Sequence, residues 1–107
     1  MMRITVSHNK NPEEIKRNID QGFDDIFKGL PIGPIQFADE QRTWVGNTLN
    51  YSFNARAAIL SIPIKGWILV EQQLVTIEVE LPAFLQKFLP EERLKTALEG
   101  GVKGLLT

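Results

Sequence analysis

Cysteine is absent from the sequence, and histidine occurs once among its 107 residues. The lack of cysteine excludes disulfide bonds, thiolate metal ligands and a thiol nucleophile. The single histidine, His8, excludes a metal centre built from several histidines of one chain. We therefore predict a protein without a metal site or another cofactor.

Basic residues are not in excess, since 12 lysines and arginines are balanced by 13 aspartates and glutamates, for a net charge of -1. Dedicated nucleic-acid-binding proteins usually carry a basic surplus on one face, so we predict no nucleic-acid partner. No apolar run approaches the roughly 20 residues of a membrane-spanning helix. The first ten residues, MMRITVSHNK, lack the apolar segment of a signal peptide. We expect a soluble, cytoplasmic protein with no membrane span.

What is present is the composition of one globular domain. Hydrophobic residues make up 43% and charged residues 23% of the chain, both ordinary for a soluble protein. The length and the absence of repeats or low-complexity segments favour a single domain spanning residues 1–107.

Hydrophobic periodicity predicts the element order β-α-β-β-β-β-α. The segment RITV alternates as a first strand does. Asn11 is a favourable N-cap before Pro12, and apolar residues then recur every three or four positions until Gly29, where we expect the helix to end. A C-terminal helix follows the last strand, and Gly100-Gly101 is expected to weaken or kink it.

The segment WVGNTLNYSF predicts a hairpin. A turn at Gly46-Asn47 sets Trp44 opposite Leu49, whereas a turn one residue later sets Trp44 opposite Tyr51. Both turns place Trp44, Leu49, Tyr51 and Phe53 on one face of the sheet. Apolar positions change parity between residues 37 and 44, which requires a bulge or a break near ADEQ.

A second hairpin has a turn at Gln72-Gln73. This register gives an almost unbroken apolar face and puts Lys65 opposite Glu80 and Trp67 opposite Glu78 on the reverse face. Sequential hairpins predict an α+β fold, with an antiparallel sheet of about five strands and the N- and C-terminal helices on one face. The strand order also resembles a shortened helix-grip, or START-like, fold.

Two groups of apolar residues are candidate sites. Trp44, Tyr51 and Phe53 are predicted to line a pocket for an apolar ligand, although large aromatics on the inner face of a small sheet are more often core. An interaction surface is predicted from the other group, which points away from the helices and consists of Trp67, Leu69 and Ile59. A second copy packing on this face, as a homodimer, is its simplest use. The alternative is a solitary tryptophan half-covered by Lys65.

The sequence predicts no catalytic residue. No serine is flanked as in a nucleophile elbow, and no glycine pattern matches a phosphate-binding loop. His8 offers acid–base chemistry near neutral pH, but a histidine between a strand and a helix more often organises the helix start. We therefore expect a protein that is not an enzyme.

Several short features occur in a fixed order along the chain. His8 follows the first strand, Trp44-x-Gly46 precedes an apolar strand, and Gly66 precedes the alternating residues of the last strand. In this order and spacing, over nearly the whole chain, they resemble the bacterial polyhydroxyalkanoic acid system family. The segment NARAAILSIP is longer than the usual family connection, which predicts an extended strand there.

The resemblance implies an accessory role in polyhydroxyalkanoate or acyl metabolism. The expected partner is a polyhydroxyalkanoate granule or a granule protein, met through surface contact, and no catalytic residue is carried over from the family. The alternative function is a small carrier or sensor of an apolar or acyl ligand held between sheet and helices, as the START-like resemblance suggests.

Overall fold

The computed structural model describes residues 1–106, with Phe88 described by its backbone alone. Within them, the strands are β1 (Met2–Ser7), β2 (Gln36–Val45), β3 (Thr48–Ala57), β4 (Leu60–Val70) and β5 (Leu74–Glu80). The helices are α1 (Pro12–Gly22), α2 (Ala83–Phe88) and α3 (Glu91–Leu106), and a 3-10 turn (Phe23–Ile26) follows α1. The strands form one antiparallel sheet in the order β1-β5-β4-β3-β2. The predicted α+β fold and element order are confirmed.

Helix α1 begins as predicted and ends earlier than predicted. The Asn11 side chain accepts a hydrogen bond of 2.8 Å from the Glu13 N–H. The α-helix stops at Gly22 instead of continuing to Gly29. Glycine is a weak helix former, and a Cβ at Gly22 would collide with Leu105 of α3. The glycine thus leaves room for the Leu105 side chain of α3 beside the end of α1.

The β2–β3 hairpin has the register predicted for a turn at Gly46-Asn47, with Trp44 opposite Leu49. Gly46 has a φ of 61°, the left-handed conformation that this tight turn needs and that glycine adopts without strain.

The predicted bulge lies in β2. Its register against β3 shifts between Ala38 and Gln41, and Asp39 has a φ of 54°. The bulge changes which residues point inward, so Phe37 and Trp44, of opposite parity, both face the helices.

The β4–β5 hairpin also has its predicted register. Val70 pairs with Val75, and Lys65 pairs with Glu80. The Lys65 Nζ lies 3.4 Å from the Glu80 Oε2, as expected for opposite charges on neighbouring strands. Trp67, opposite Glu78, consequently points to the face without helices.

Helix α3 runs unbroken through Gly100-Gly101, where the sequence suggested a kink. A Cβ at Gly101 would overlap the backbone of Ile26, so this glycine lets the helix approach the 3-10 turn closely. The helix buries a stripe of four residues against the sheet: Leu94, Leu98, Val102 and Leu106.

The side chains that point away from the helices form the outer face of the sheet. Its central row runs across all five strands and consists of Thr43, Asn50, Trp67, Glu78 and Arg3. Among the described residues, no helix combines the length and apolar character needed to cross a membrane.

Candidate functional site

The space between sheet and helices is filled by an aromatic cluster. Its ring centroids lie between 4.8 and 6.4 Å apart, and its members are Phe23, Phe27, Phe37, Tyr51 and Phe53. Tyr51 is 4% exposed and Phe53 3% exposed. Two of the three predicted ligand-binding residues therefore pack against each other as part of the core.

Tyr51 carries a polar group into this core, and Gly66 makes room for it. The Tyr51 hydroxyl donates a hydrogen bond of 2.9 Å to the backbone carbonyl of Glu78. A Cβ at Gly66 would overlap that carbonyl and crowd the hydroxyl. Burial, and next the charge of Glu78, raise the pKa of Tyr51 far above its usual range, so the hydroxyl stays a donor.

Trp44, the third predicted ligand-binding residue, lies apart at the margin of the sheet. Its Nε1 donates a hydrogen bond of 2.8 Å to the Asp20 carboxylate of α1. The Lys16 ammonium lies 5.0 Å from the centroid of its ring system. Trp44 thus anchors α1 to β2, and ligand binding by these three aromatics stays a prediction.

Arg3 covers Trp67 on the outer face. The Arg3 guanidinium lies 5.5 Å from the centroid of the tryptophan ring. It also donates two hydrogen bonds to one carboxylate oxygen of Glu78, at 2.7 and 3.2 Å. The sequence suggested Lys65 as the cover, but Lys65 pairs with Glu80. Arg3 was missed because its place beside Trp67 depends on the pairing of β1 with β5.

The structure brings together two of the three predicted interaction residues. Trp67 and Leu69 point the same way on β4, and both are partly exposed. Ile59 is 99% exposed in the β3–β4 turn, next to Ala58 with its positive φ of 54°. At about 3.3 Å per residue, Ile59 lies roughly 25 Å from Trp67 along the strand.

An open groove of about 420 Å³ lies where β5 leaves the sheet. The Asn54 side-chain amide donates a hydrogen bond of 3.0 Å to the Asp39 carboxylate at its rim. Its walls include Phe53 but neither Trp44 nor Tyr51, and the other apolar residues are Pro63, Ile64, Leu81 and Pro82.

His8 has both ring nitrogens engaged. Its Nδ1 accepts a hydrogen bond of 3.2 Å from the Lys10 N–H, so Nε2 carries the proton and donates to the Glu71 carbonyl at 2.8 Å. These contacts tie the loop before α1 to the β4–β5 turn, which is a structural role.

A small acidic pocket lies between the 3-10 turn and the bulge of β2. Burial, and next the charge of Asp24, raise the pKa of Glu40, while Arg42, 3.0 Å away, acts in the opposite direction. Within residues 1–106, no group of three or more histidine, cysteine, aspartate or glutamate side chains is placed to hold a metal ion.

The crystal structure of TTHA0849 from Thermus thermophilus is similar to this chain, with a TM-score of 0.42 and 12% sequence identity. The similarity covers 98% of this chain and 95% of that one. No protein-family model matches the chain, and no curated protein matches it. A similarity at this level carries no argument about function, and the resemblance to the polyhydroxyalkanoic acid system family stays a prediction.

Proposed function

We propose that this chain is a non-enzymatic, cytoplasmic accessory protein of polyhydroxyalkanoate or acyl metabolism. It acts through contact of its outer face with a protein or a granule surface. The observation that carries the proposal is the partial exposure of Trp67 and Leu69, side by side on the face that no helix covers. Tryptophan is enriched where protein surfaces meet partners, because it combines a large apolar area with a polar N–H.

The charges around Trp67 are already paired, which favours contact with a surface of low polarity. Arg3 bonds to Glu78, and Lys65 pairs with Glu80. A surface that covered these groups would leave no isolated charge behind, and an isolated buried charge is the costly case. The neighbouring outer-face residues are neutral and polar: Thr5, Asn50, Ser52 and Thr76.

The choice of partner class rests on the family resemblance. A polyhydroxyalkanoate granule presents a polyester surface, apolar along its chains and supplied with ester carbonyl acceptors. The indole of Trp67 supplies the matching apolar area and donor, and Leu69 extends the apolar contact.

The test is cosedimentation of the purified protein with protein-free polyhydroxybutyrate particles. Trp67→Glu should lower the affinity about tenfold or more, the loss expected when a central interface aromatic is replaced by a charge. Thr96→Glu adds the same charge at an exposed position on α3 and should bind as the wild type does. Equal binding by wild type and Trp67→Glu, or no binding by the wild type, would contradict the proposal.

A second candidate is a carrier of a small apolar or acyl ligand. The open groove favours it, because its 420 Å³ falls in the range of roughly 300–1,000 Å³ of small-molecule sites. Native mass spectrometry of protein purified from its own host checks this candidate directly. A retained small molecule, lost in a Ser52→Trp variant that places a large side chain in the groove, supports the carrier; a ligand-free mass counts against it.

A further inference from the structure

The two edges of the sheet are built differently. Strand β2 carries the bulge at Asp39, a known means of preventing pairing at an exposed edge. It is also held to α1 through Trp44 and Asp20. Strand β1, with the sequence MRITVS, has an unbroken register from Met2 to Ser7 and contains neither proline nor glycine. Edge strand β1 therefore lacks the protection that β2 has.

Backbone groups of β1 are directed toward this open edge. The His8 N–H donates a hydrogen bond of 2.9 Å to the Gln73 carbonyl at the end of the β1–β5 ladder. Bonded residues alternate along an antiparallel ladder, so Arg3, Thr5 and Ser7 direct their N–H and C=O groups away from β5. Such a row of unpaired donors and acceptors is a template for another strand.

A second open groove, distinct from the one beside β5, borders this edge. This groove, of about 830 Å³, separates the end of β1 from α3. One side of α3, with Gly101 and Leu105, packs on the 3-10 turn and α1. The opposite side presents Glu99 and Lys103 to the groove, which Thr5 also lines.

We propose that a second copy of this chain occupies the edge, with the two β1 strands antiparallel about a twofold axis at Thr5. In this register Thr5 lies opposite its own counterpart, Arg3 opposite Ser7, and Ile4 opposite Val6. No two like charges lie opposite each other between the paired β1 strands. The apolar residues of the inner face lie opposite apolar residues. The two sheets become one sheet of ten strands.

Charge complementarity on α3 identifies the partner as a second copy. Glu99 and Lys103 stand one helical turn apart beside Thr5, and neither forms an ion pair within residues 1–106. The twofold axis reverses the direction of the second α3. Glu99 of each copy then faces Lys103 of the other, and an isologous interface makes this contact twice.

Edge pairing leaves the outer face open and joins two outer faces into one. A dimer with two Trp67 side chains on one surface gains avidity for any extended partner. The pairing itself does not depend on the proposed function, because it uses β1 and α3 and leaves Trp67 uncovered.

The test is sedimentation velocity at micromolar concentrations. The wild type should be a dimer, and Glu99→Lys and Lys103→Glu should each weaken the dimer about tenfold or more, because each places like charges together twice. An equimolar mixture of the two variants should regain the dimer, since every cross-contact is again between lysine and glutamate. An interface in which residue 99 of one copy meets residue 103 of the other predicts this recovery, and an interface that lacks either residue does not.

Thr5→Pro is the backbone variant. Proline removes an N–H that points to the open edge and spares the bonds to β5, so the chain should fold and be monomeric. Circular dichroism checks the fold, and the charge variants decide the matter if Thr5→Pro does not fold. Trp67→Glu should stay dimeric.

A monomeric wild type, or a dimer lost in Trp67→Glu and kept in the charge variants, would overturn edge pairing. The second result would place the dimer on the outer face. Particle binding is also measured for the Thr5→Pro monomer, which keeps the two proposals distinguishable. Edge pairing can fail while the outer face still binds particles, and particle binding can fail while the dimer still forms.

Discussion

The two faces of the sheet use the same strands for different purposes. On β4, Ile68 points inward and is 1% exposed, while its neighbour Trp67 points outward and is partly exposed. Inner-face residues touch the aromatic cluster and α3 and fix a single packing arrangement. Outer-face residues form charge pairs and a tryptophan–arginine contact over a surface that water still reaches. The comparison separates residues that hold the fold from residues available to a partner, and the changes below test this division.

The largest difference should appear between Phe27→Ala and Trp67→Ala. Phe27 is fully buried against Phe23, Tyr51 and Phe53, so its truncation should lower the free energy of unfolding by about 4 kcal/mol. Trp67→Ala loses the Arg3 contact and part of its packing, and should cost about 1 kcal/mol. Urea unfolding of both variants measures the difference. Comparable losses would mean that the outer face also supports the fold.

A smaller loss of stability is expected at Gly66 and Tyr51, where the inner face of the sheet holds the buried tyrosine hydroxyl. Gly66→Ala should cost about 3 kcal/mol, because a Cβ there overlaps the Glu78 carbonyl and crowds Tyr51. Tyr51→Phe should cost about 1 kcal/mol, the typical worth of one hydrogen bond. In the Tyr51→Phe background, Gly66→Ala should be less damaging, since one obstructing atom is gone. Strict additivity of the two losses would show that the residues do not share this space.

Alkaline pH provides an independent check on the same hydroxyl. The pKa of Tyr51 is higher in the folded chain than its ordinary value of 10.0, so the folded chain holds the proton where the unfolded chain releases it. Stability must then fall as the pH rises above about 10. Thermal unfolding of Tyr51→Phe should show a weaker fall, since the other described ionisable groups are retained.

The smallest effect on stability is expected at Glu40, which lies at the bulge of β2. The pKa of Glu40 is raised above 4.5, so the folded chain binds the proton more tightly and its stability falls as the pH rises through the folded pKa. Glu40→Gln should flatten this part of the stability profile, by less than about 1 kcal/mol because the site is partly solvated. Titration of unfolding between acid and neutral pH checks it, and an unchanged slope would contradict it.

Short-range rules predicted the β4–β5 register and limited the β2–β3 register to two choices, one of which the structure has. A two-residue turn fixes the pairing of its flanking strands, and Lys65 opposite Glu80 confirmed the register from the outer face. The parity change before Trp44 required the bulge that Asp39 provides. In each case residues close in sequence determine the geometry.

Contacts between distant segments could not be predicted in the same way. Leu105 lies close to Gly22, and the space at Gly66 is used by Tyr51 and Glu78, all of them far away in the sequence. For Gly66 a signal was present, since a glycine within an apolar ladder often faces an aromatic on the next strand. For Gly22 the glycine alone did not indicate which element would approach it.

The pairing of β1 with β5 also sets the order in which the chain can fold during synthesis. Arg3 and Glu78 are 75 positions apart, so β1 leaves the ribosome long before its partner strand exists. The β2–β3 and β3–β4 pairs, in contrast, join strands that are adjacent in the sequence and emerge one after the other. In the nascent chain, β1 therefore stays unpaired until β5 has been synthesised. At that stage the unpaired strand is exposed to chaperones.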